Sequence, residues 1–382
     1  MINFEFEKYT NINVKKICYE DYNDYLIRIK DAHSFYDLDE LFEEKLISKM
    51  SNLAKKIKDD NGVLVVVGIG GSYLGSKALI DALSGYFDDK GVYYAGNSLS
   101  SDYLHDLIEE LKDKNVYLNV ISKSGTTLEV STAFNVLKNY VNKNKIIITS
   151  DAGSPLHTLA KENECEFLEI PKTIGGRFSV FTPVGLFPLI YAGINVMELK
   201  RGAMDAISNK DDIIKYAQVR DEFFKVQKPV EAYVCYEPKL YIFLKWISQL
   251  YGETLGKNKN GILPMTILNT RDLHSLGQFI QEGSPILFQT VFKVVKSKND
   301  ITSMNKSVSS LNSIACDATL KAHFSGDISS NLIEIDKIDE YHMGYLMQFF
   351  MLSCYYSSYI QGVNPFNQPG VEAYKKEIKE ML

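Results

Sequence analysis

The densest group of reactive side chains is Ser122-Lys123-Ser124-Gly125-Thr126-Thr127, followed by Leu128-Glu129. Ser122, Ser124, Thr126 and Thr127 supply hydroxyls and Lys123 a cation. They stand between an apolar run, Val116 to Ile121, and a stretch in which Val130, Ala133, Phe134, Leu137 and Val141 recur at helical spacing. The cluster therefore lies where a strand turns into a helix. A helix N-terminus presents unpaired N–H groups and the positive end of its dipole, a setting suited to phosphate. One Ser or Thr would suffice to cap that helix. The remaining hydroxyls and Lys123 exceed the need and point to a bound phosphate.

A second strand–helix junction is Gly68-Ile69-Gly70-Gly71-Ser72-Tyr73-Leu74-Gly75, after the apolar run Gly62 to Val67. Its glycines admit close backbone approach to a ligand, and Ser72 can cap the helix or bind an anion. A bare GxGG is a weak signal, and a dinucleotide fold competes for it. The next strand-like run, Val92 to Ala95, does not end in the acidic residue that would hold a ribose, which argues against NAD. A third loop, Ile174-Gly175-Gly176-Arg177-Phe178-Ser179, sets a fixed cation beside a close-approaching backbone. Arginine is scarce, at Arg28, Arg177, Arg201, Arg220 and Arg271 only, so each position carries weight. Further along stand Gln249, Glu253 in Gly252-Glu253-Thr254-Leu255-Gly256, His274, Gln368 and Lys375. Taken singly, Glu253 reads as a solvated acid and His274 as an ordinary residue at a helix start.

These residues need a scaffold. Gly62–Val67 is apolar throughout, as a strand covered on both faces should be. Runs at Val92–Ala95, Lys145–Ser150, Glu166–Ile170, Glu231–Tyr236, Ile262–Leu268 and Ile286–Val294 alternate with helical patterns. Such alternation predicts an α/β protein with two doubly wound parallel sheets, ligands at the carboxyl ends of the strands. The expected domains are an N-terminal helical segment over 1–60, a first α/β subdomain over 61–195 and a second over 196–382 with C-terminal helices. Pro369 is placed to start the last helix, with Lys375 in its first two turns.

Composition narrows the class. The chain has 382 residues, 45% of them hydrophobic and 24% charged, enough for two soluble globular domains. A formal charge of −6 argues against a general nucleic-acid binder. The odd, scattered cysteines Cys18, Cys165, Cys235, Cys316 and Cys354 form no CxxC pair, which fits reduced thiols in a cytoplasm. The N-terminus has early acids and no signal-peptide core. Met343 to Tyr359 carries no charge, but its Gly, Gln and Ser interruptions suit a buried core helix better than a membrane span.

Together the motifs at Gly68–Gly75, Ser122–Glu129, Gly175–Val184, Gln249–Gly256, His274–Gly283 and Gly362–Lys375 resemble the glucose-6-phosphate isomerase (phosphoglucose isomerase) family, in its order, from about residue 62 to the end. The Ser-Gly-Thr-Thr-x-Glu run is shared with the wider sugar-isomerase (SIS) fold group. The resemblance implies two SIS-type α/β/α subdomains and an aldose–ketose isomerisation without metal or organic cofactor. It implies that Glu253 carries the proton between C1 and C2, that His274 and Lys375 open the sugar ring, and that Arg177 stabilises the enediolate. Gly71, Ser72, Ser122, Lys123, Ser124, Thr126 and Thr127 would then hold the phosphate end, with Gln249 and Gln368 near the sugar. It further implies a cytoplasmic homodimer, with His274 acting in the partner's site. The chain departs from the pattern at Asn367, where Asp is common, at Tyr374, where Gly is common, and at Thr254, where Ser is common. It is also shorter than typical bacterial members, in the N-terminal region and between His274 and Lys375. Two alternatives stand beside this reading: a dual glucose/mannose-6-phosphate isomerase, and a non-catalytic SIS-type phosphosugar sensor. The sensor lacks a basic helix-turn-helix stretch here and leaves Glu253, His274 and Lys375 without a purpose.

Overall fold

The computed structural model describes residues 1–12 and 34–382. Cys18, Arg28 and residues 13–33 of the expected N-terminal helical segment lie outside the described residues. The rest divides into two compact units, one of residues 34–200 and one of residues 1–12 with 201–382.

The N-terminus corrects the sequence reading. Ile2–Tyr9 is a strand, β1, rather than part of a helical segment. Its alternation Ile2-Asn3-Phe4-Glu5-Phe6-Glu7 has the period of a strand with one buried face, and Phe6 and Tyr9 are buried. Helices do follow in the described part, at Leu38–Leu41 and Glu44–Asp59.

The unit of residues 34–200 is built on five parallel strands: β2 (Gly62–Val67), β3 (Val92–Ala95), β4 (Asn115–Ile121), β5 (Ile146–Ser150) and β6 (Glu166–Glu169). Their order is β3-β2-β4-β5-β6. Leu64 through Val67 are fully buried because helices cover both faces of the sheet. Helices Ser101–Leu111, Leu128–Leu137 and Pro155–Glu162 pack one face through Leu104, Leu107, Phe134 and Leu156. Glu44–Asp59, Gly71–Leu83 and Pro183–Tyr191 pack together against the other. The chain leaves β2 towards β3 on one side and later sets β4 on the other. The crevice of this doubly wound sheet therefore opens at the carboxyl ends of β2 and β4.

The other unit holds β7 (Val230–Cys235), β8 (Leu263–Leu268), β9 (Leu287–Val294) and β12 (Ser330–Ile335), in the order β1-β12-β9-β7-β8. Its strands are parallel except β1, which pairs antiparallel with β12 from Ile2 opposite Ile335. A two-residue hairpin, β10 (Thr302–Ser303) with β11 (Lys306–Ser307), precedes the helix Val308–Ser325. Helix Glu340–Gln361, which contains the uncharged run seen in the sequence, is buried from His342 to Ser358 against Lys210–Lys225 and Tyr241–Leu255. It is a core helix; among the described residues no helix is long and apolar enough to cross a membrane.

Candidate active site

Ser122 follows the last residue of β4 and is 4% exposed, so its hydroxyl points into the turn rather than into solvent. It accepts from the Gly125 N–H at 3.1 Å and lies 3.1 Å from the Thr127 hydroxyl. Gly125 has φ +71°, which a β-branched residue would hold only under strain. Ser124 accepts from both the N–H (3.2 Å) and the hydroxyl (3.1 Å) of Thr126. Thr127 is the N-cap of helix Leu128–Leu137, yet its side chain makes no capping bond. The hydroxyls thus do not serve the helix end. They bond to one another round an N-terminus whose leading N–H groups remain for an anion. Behind the turn, the Ser150 hydroxyl donates to Ser122 O at 2.7 Å and sits 2.6 Å from the Ser154 hydroxyl. These two supports were not singled out in the sequence; the signals were the place of Ser150 at the end of β5, next to β4, and of Ser154 as the N-cap before Pro155.

Lys123 turns away from the hydroxyl cluster to another task. Its ammonium donates to the carbonyls of Lys172 (2.6 Å) and Ile174 (2.8 Å). It thereby ties the turn to the segment that runs into Gly175-Gly176-Arg177. Gly71, the first residue of helix Gly71–Leu83, meets the same segment from β2. A Cβ there would lie 1.9 Å from the Gly176 oxygen, so only glycine allows the approach. Gly70, the N-cap, has φ +59°. The half-buried Ser72 follows at the same helix start. Arg177 is 2% exposed, which removes the reading of a solvated surface arginine. The carboxyl ends of β2 and β4 and the Arg177 loop are therefore joined by a shared glycine contact and one lysine.

In the other unit, Gln249 and Glu253 stand one turn apart on helix Tyr241–Leu255. The Gln249 amide donates to the Glu253 carboxylate at 3.1 Å, while Gln249 Oε1 is buried without a donor. Both side chains are partly buried. His274 is exposed at the end of the short 3-10 helix Arg271–His274 that follows β8. The turn is braced by Asp272, which accepts from the Leu268 N–H at 2.8 Å and pairs with Arg271 at 2.7 and 3.0 Å. The Arg271 hydrogen bonds hold the Asp272 carboxyl below its ordinary range, against the opposing effect of burial. Lys375 lies exposed on helix Pro369–Met381 and pairs with Glu372 at 3.0 Å; Gln368 is that helix's half-buried N-cap. Among the described residues, neither His274 nor Lys375 bonds to Glu253. The four free cysteines described are not grouped, and no cluster of three or more His, Cys, Asp or Glu stands ready for a metal among the described residues.

The architecture has solved counterparts. A hypothetical protein from Thermus thermophilus superposes with a TM-score of 0.84 at 24% identity, over 95% of this chain and 94% of that one. A glucose-6-phosphate isomerase from Chlamydia trachomatis gives 0.79 at 20%, over 88% of this chain and 73% of that one. The tagatose-6-phosphate ketose/aldose isomerase of Escherichia coli gives 0.61 at 11%, over 94% and 98%. Such distant likenesses define the fold: two parallel-sheet units of the SIS type found in phosphosugar isomerases. The family follows from sequence. The profile described as "Phosphoglucose isomerase" matches residues 29–321. The glucose-6-phosphate isomerases of Exiguobacterium sibiricum and Caldanaerobacter subterraneus are 40% and 41% identical, over 92% and 89% of this chain and 87% and 84% of theirs. The chain belongs to the phosphoglucose isomerase family.

Proposed function

We propose that the chain interconverts D-glucose 6-phosphate and D-fructose 6-phosphate, an aldose–ketose isomerisation of glycolysis and gluconeogenesis, in the cytoplasm. The observation that carries the reading is the family match over residues 29–321, a span that contains Ser72, the Ser122–Thr127 turn, Arg177, Glu253 and His274.

Each group then has a defined task. The phosphate lies on the N–H groups and hydroxyls of Ser122–Thr127, with Ser72 beside it. Binding energy from this end, remote from the reacting carbons, orients C1 and C2. His274 and Lys375 move a proton from the C1 hydroxyl to the ring oxygen, which opens the sugar. Glu253 removes the proton from C2, leaving a cis-enediolate, and returns it to C1 while the hydroxyl proton on O2 passes to O1. A carboxylate suits the step because it is partly withdrawn from water and fixed by Gln249. The buried Arg177 guanidinium stabilises the enediolate charge. The unpaired Gln249 Oε1 is free to accept from a sugar hydroxyl. The exposed His274 suits a group presented to a second copy, so the homodimer is the active form.

A coupled assay of purified protein with fructose 6-phosphate tests this. Glucose 6-phosphate should accumulate; no product would overturn the assignment.

A further inference from the structure

Lys257 stands four residues beyond Glu253, just past the end of helix Tyr241–Leu255, and none of the tasks above uses it. Its backbone is pinned. The Lys257 N–H donates to Leu255 O (2.8 Å) and Asn260 O (3.1 Å), and the Asn260 N–H donates back to Lys257 O at 2.9 Å. Between them Asn258 and Lys259 take φ +56° and +57°, the left-handed pair of a tight two-residue turn. Gly261 closes the loop with φ +125°, where a Cβ would lie 2.8 Å from Leu255 O. The base of the Lys257 side chain is thereby fixed to the helix end that carries Gln249 and Glu253.

The Lys257 ammonium donates to the Asn364 carbonyl, 107 positions along the chain. A hydrogen bond from a cation is stronger than one between neutral groups. The receiving loop is itself well held. Gly362, with φ +67°, ends helix Glu340–Gln361, and the Val363 N–H donates to Ser358 O at 3.0 Å. The Asn364 side chain accepts from the Phe366 N–H at 2.8 Å, and the Phe366 ring lies 5.5 Å from that of Tyr355. This loop leads to Gln368 and to helix Pro369–Met381, which carries Lys375 and buries none of its residues. A helix that buries no face gains little from packing, so its direction is set where it is attached. Lys257 anchors that attachment to the end of the helix bearing Glu253.

We infer that Lys257 is a positioning residue for the isomerisation: its bond to Asn364 sets the segment bearing Gln368 and Lys375 in register with the helix end bearing Gln249 and Glu253. The inference rests on the isomerase reading, in which both ends meet one sugar. Two variants of the whole chain test it: Lys257→Met keeps the stem and removes the donor, and Lys257→Arg keeps a donor. With glucose 6-phosphate, kcat of Lys257→Met should fall about tenfold or more, because misplaced reacting groups lose rate steeply. Lys257→Arg should keep most of its turnover. Inhibition by inorganic phosphate, which reports the distant Ser122–Thr127 turn, should stay within about twofold in both. In a Lys375→Met background, Lys257→Met should cost less than about threefold, since the group it positions is gone. Hydrogen–deuterium exchange over 369–381 should quicken in Lys257→Met and stay as in the wild type in Lys257→Arg. Full turnover in Lys257→Met, a parallel loss of phosphate inhibition, an undiminished cost in the Lys375→Met background, or unchanged exchange would each overturn the inference. A wild-type protein without turnover would overturn the isomerase reading itself.

Discussion

Lys123 makes a contact that the sequence reading did not anticipate. Four hydroxyls and a lysine at a strand–helix border suggest an anion seat, and the hydroxyls do form one turn at the helix start. The lysine instead reaches the carbonyls of Lys172 and Ile174, about fifty positions along the chain, and no local pattern encodes such a bond. Lys123→Met should therefore raise KM for the phosphosugar about tenfold or more, because the turn that would seat the phosphate loses its tie to the Lys172–Ile174 segment. It should also lower kcat by a smaller factor, because the Arg177 segment loses its tie. Steady-state kinetics separate the two effects; an unchanged KM would remove Lys123 from the phosphate end. Glu253 is the opposite case. Nothing in Gly-Glu-Thr marks a base, and only the resemblance of the whole stretch raised it above a solvated acid. Its bond from Gln249 is one turn of helix away, a spacing that sequence does expose once the helix is known.

At the scale of elements, continuous apolar strands and helical periodicity were legible because both are local. β1 was not recognised, although its alternation is plain, because helical patterns further along 1–60 dominated the reading and its partner β12 lies more than 300 positions away. The polar centre of that unit was hidden for another reason: its partners stand 2 to 59 positions from Glu231 with no periodic pattern to mark them. Glu231, fully buried on β7, accepts from Arg220 Nε (2.5 Å), Tyr216 OH (2.7 Å), Tyr233 OH (2.8 Å) and Thr290 Oγ1 (2.7 Å). The Arg220 guanidinium lies 4.1 Å over the ring of Tyr251, two residues before Glu253 on the same helix. Arg220→Leu would strand the Glu231 carboxylate, and breaking a buried pair costs about 3–5 kcal/mol. Denaturant unfolding should show a loss of that order, and Arg220→Leu with Glu231→Leu should recover much of it. A loss below about 1 kcal/mol would mean that water reaches the pair.

For the whole molecule, two expectations concern pH and assembly. His323 is 4% exposed, with Nδ1 2.9 Å from Gln289 Oε1, and burial lowers its pKa from the ordinary 6.5. An amide oxygen only accepts, so Nδ1 carries the proton and the ring is neutral when folded. The unfolded chain then binds a proton first as pH falls through about 6.5, and stability present above that pH is lost below it. His323→Asn should flatten this part of the melting temperature against pH; an identical slope would show that other groups set it. Assembly is tested by mixing. If His274 completes the partner's site in a two-fold dimer, Glu253→Gln and His274→Ala chains, each inactive alone, should form hybrids with one intact site. Random reassortment should restore about a quarter of wild-type activity, since half the dimers are hybrid. No recovery, with exchange demonstrated, would place His274 in its own subunit's site.

The most direct measurement is the turnover of Glu253→Gln. The substitution keeps the helix and leaves a side chain able to face Gln249, but cannot take the proton from C1 of fructose 6-phosphate. kcat for fructose 6-phosphate conversion should fall by about 10²–10⁴, the usual contribution of a general base. Fructose 6-phosphate should still bind with nearly wild-type affinity, because the Ser122–Thr127 turn is untouched. A variant that binds normally and turns over at the wild-type rate would contradict the assignment of proton transfer to Glu253.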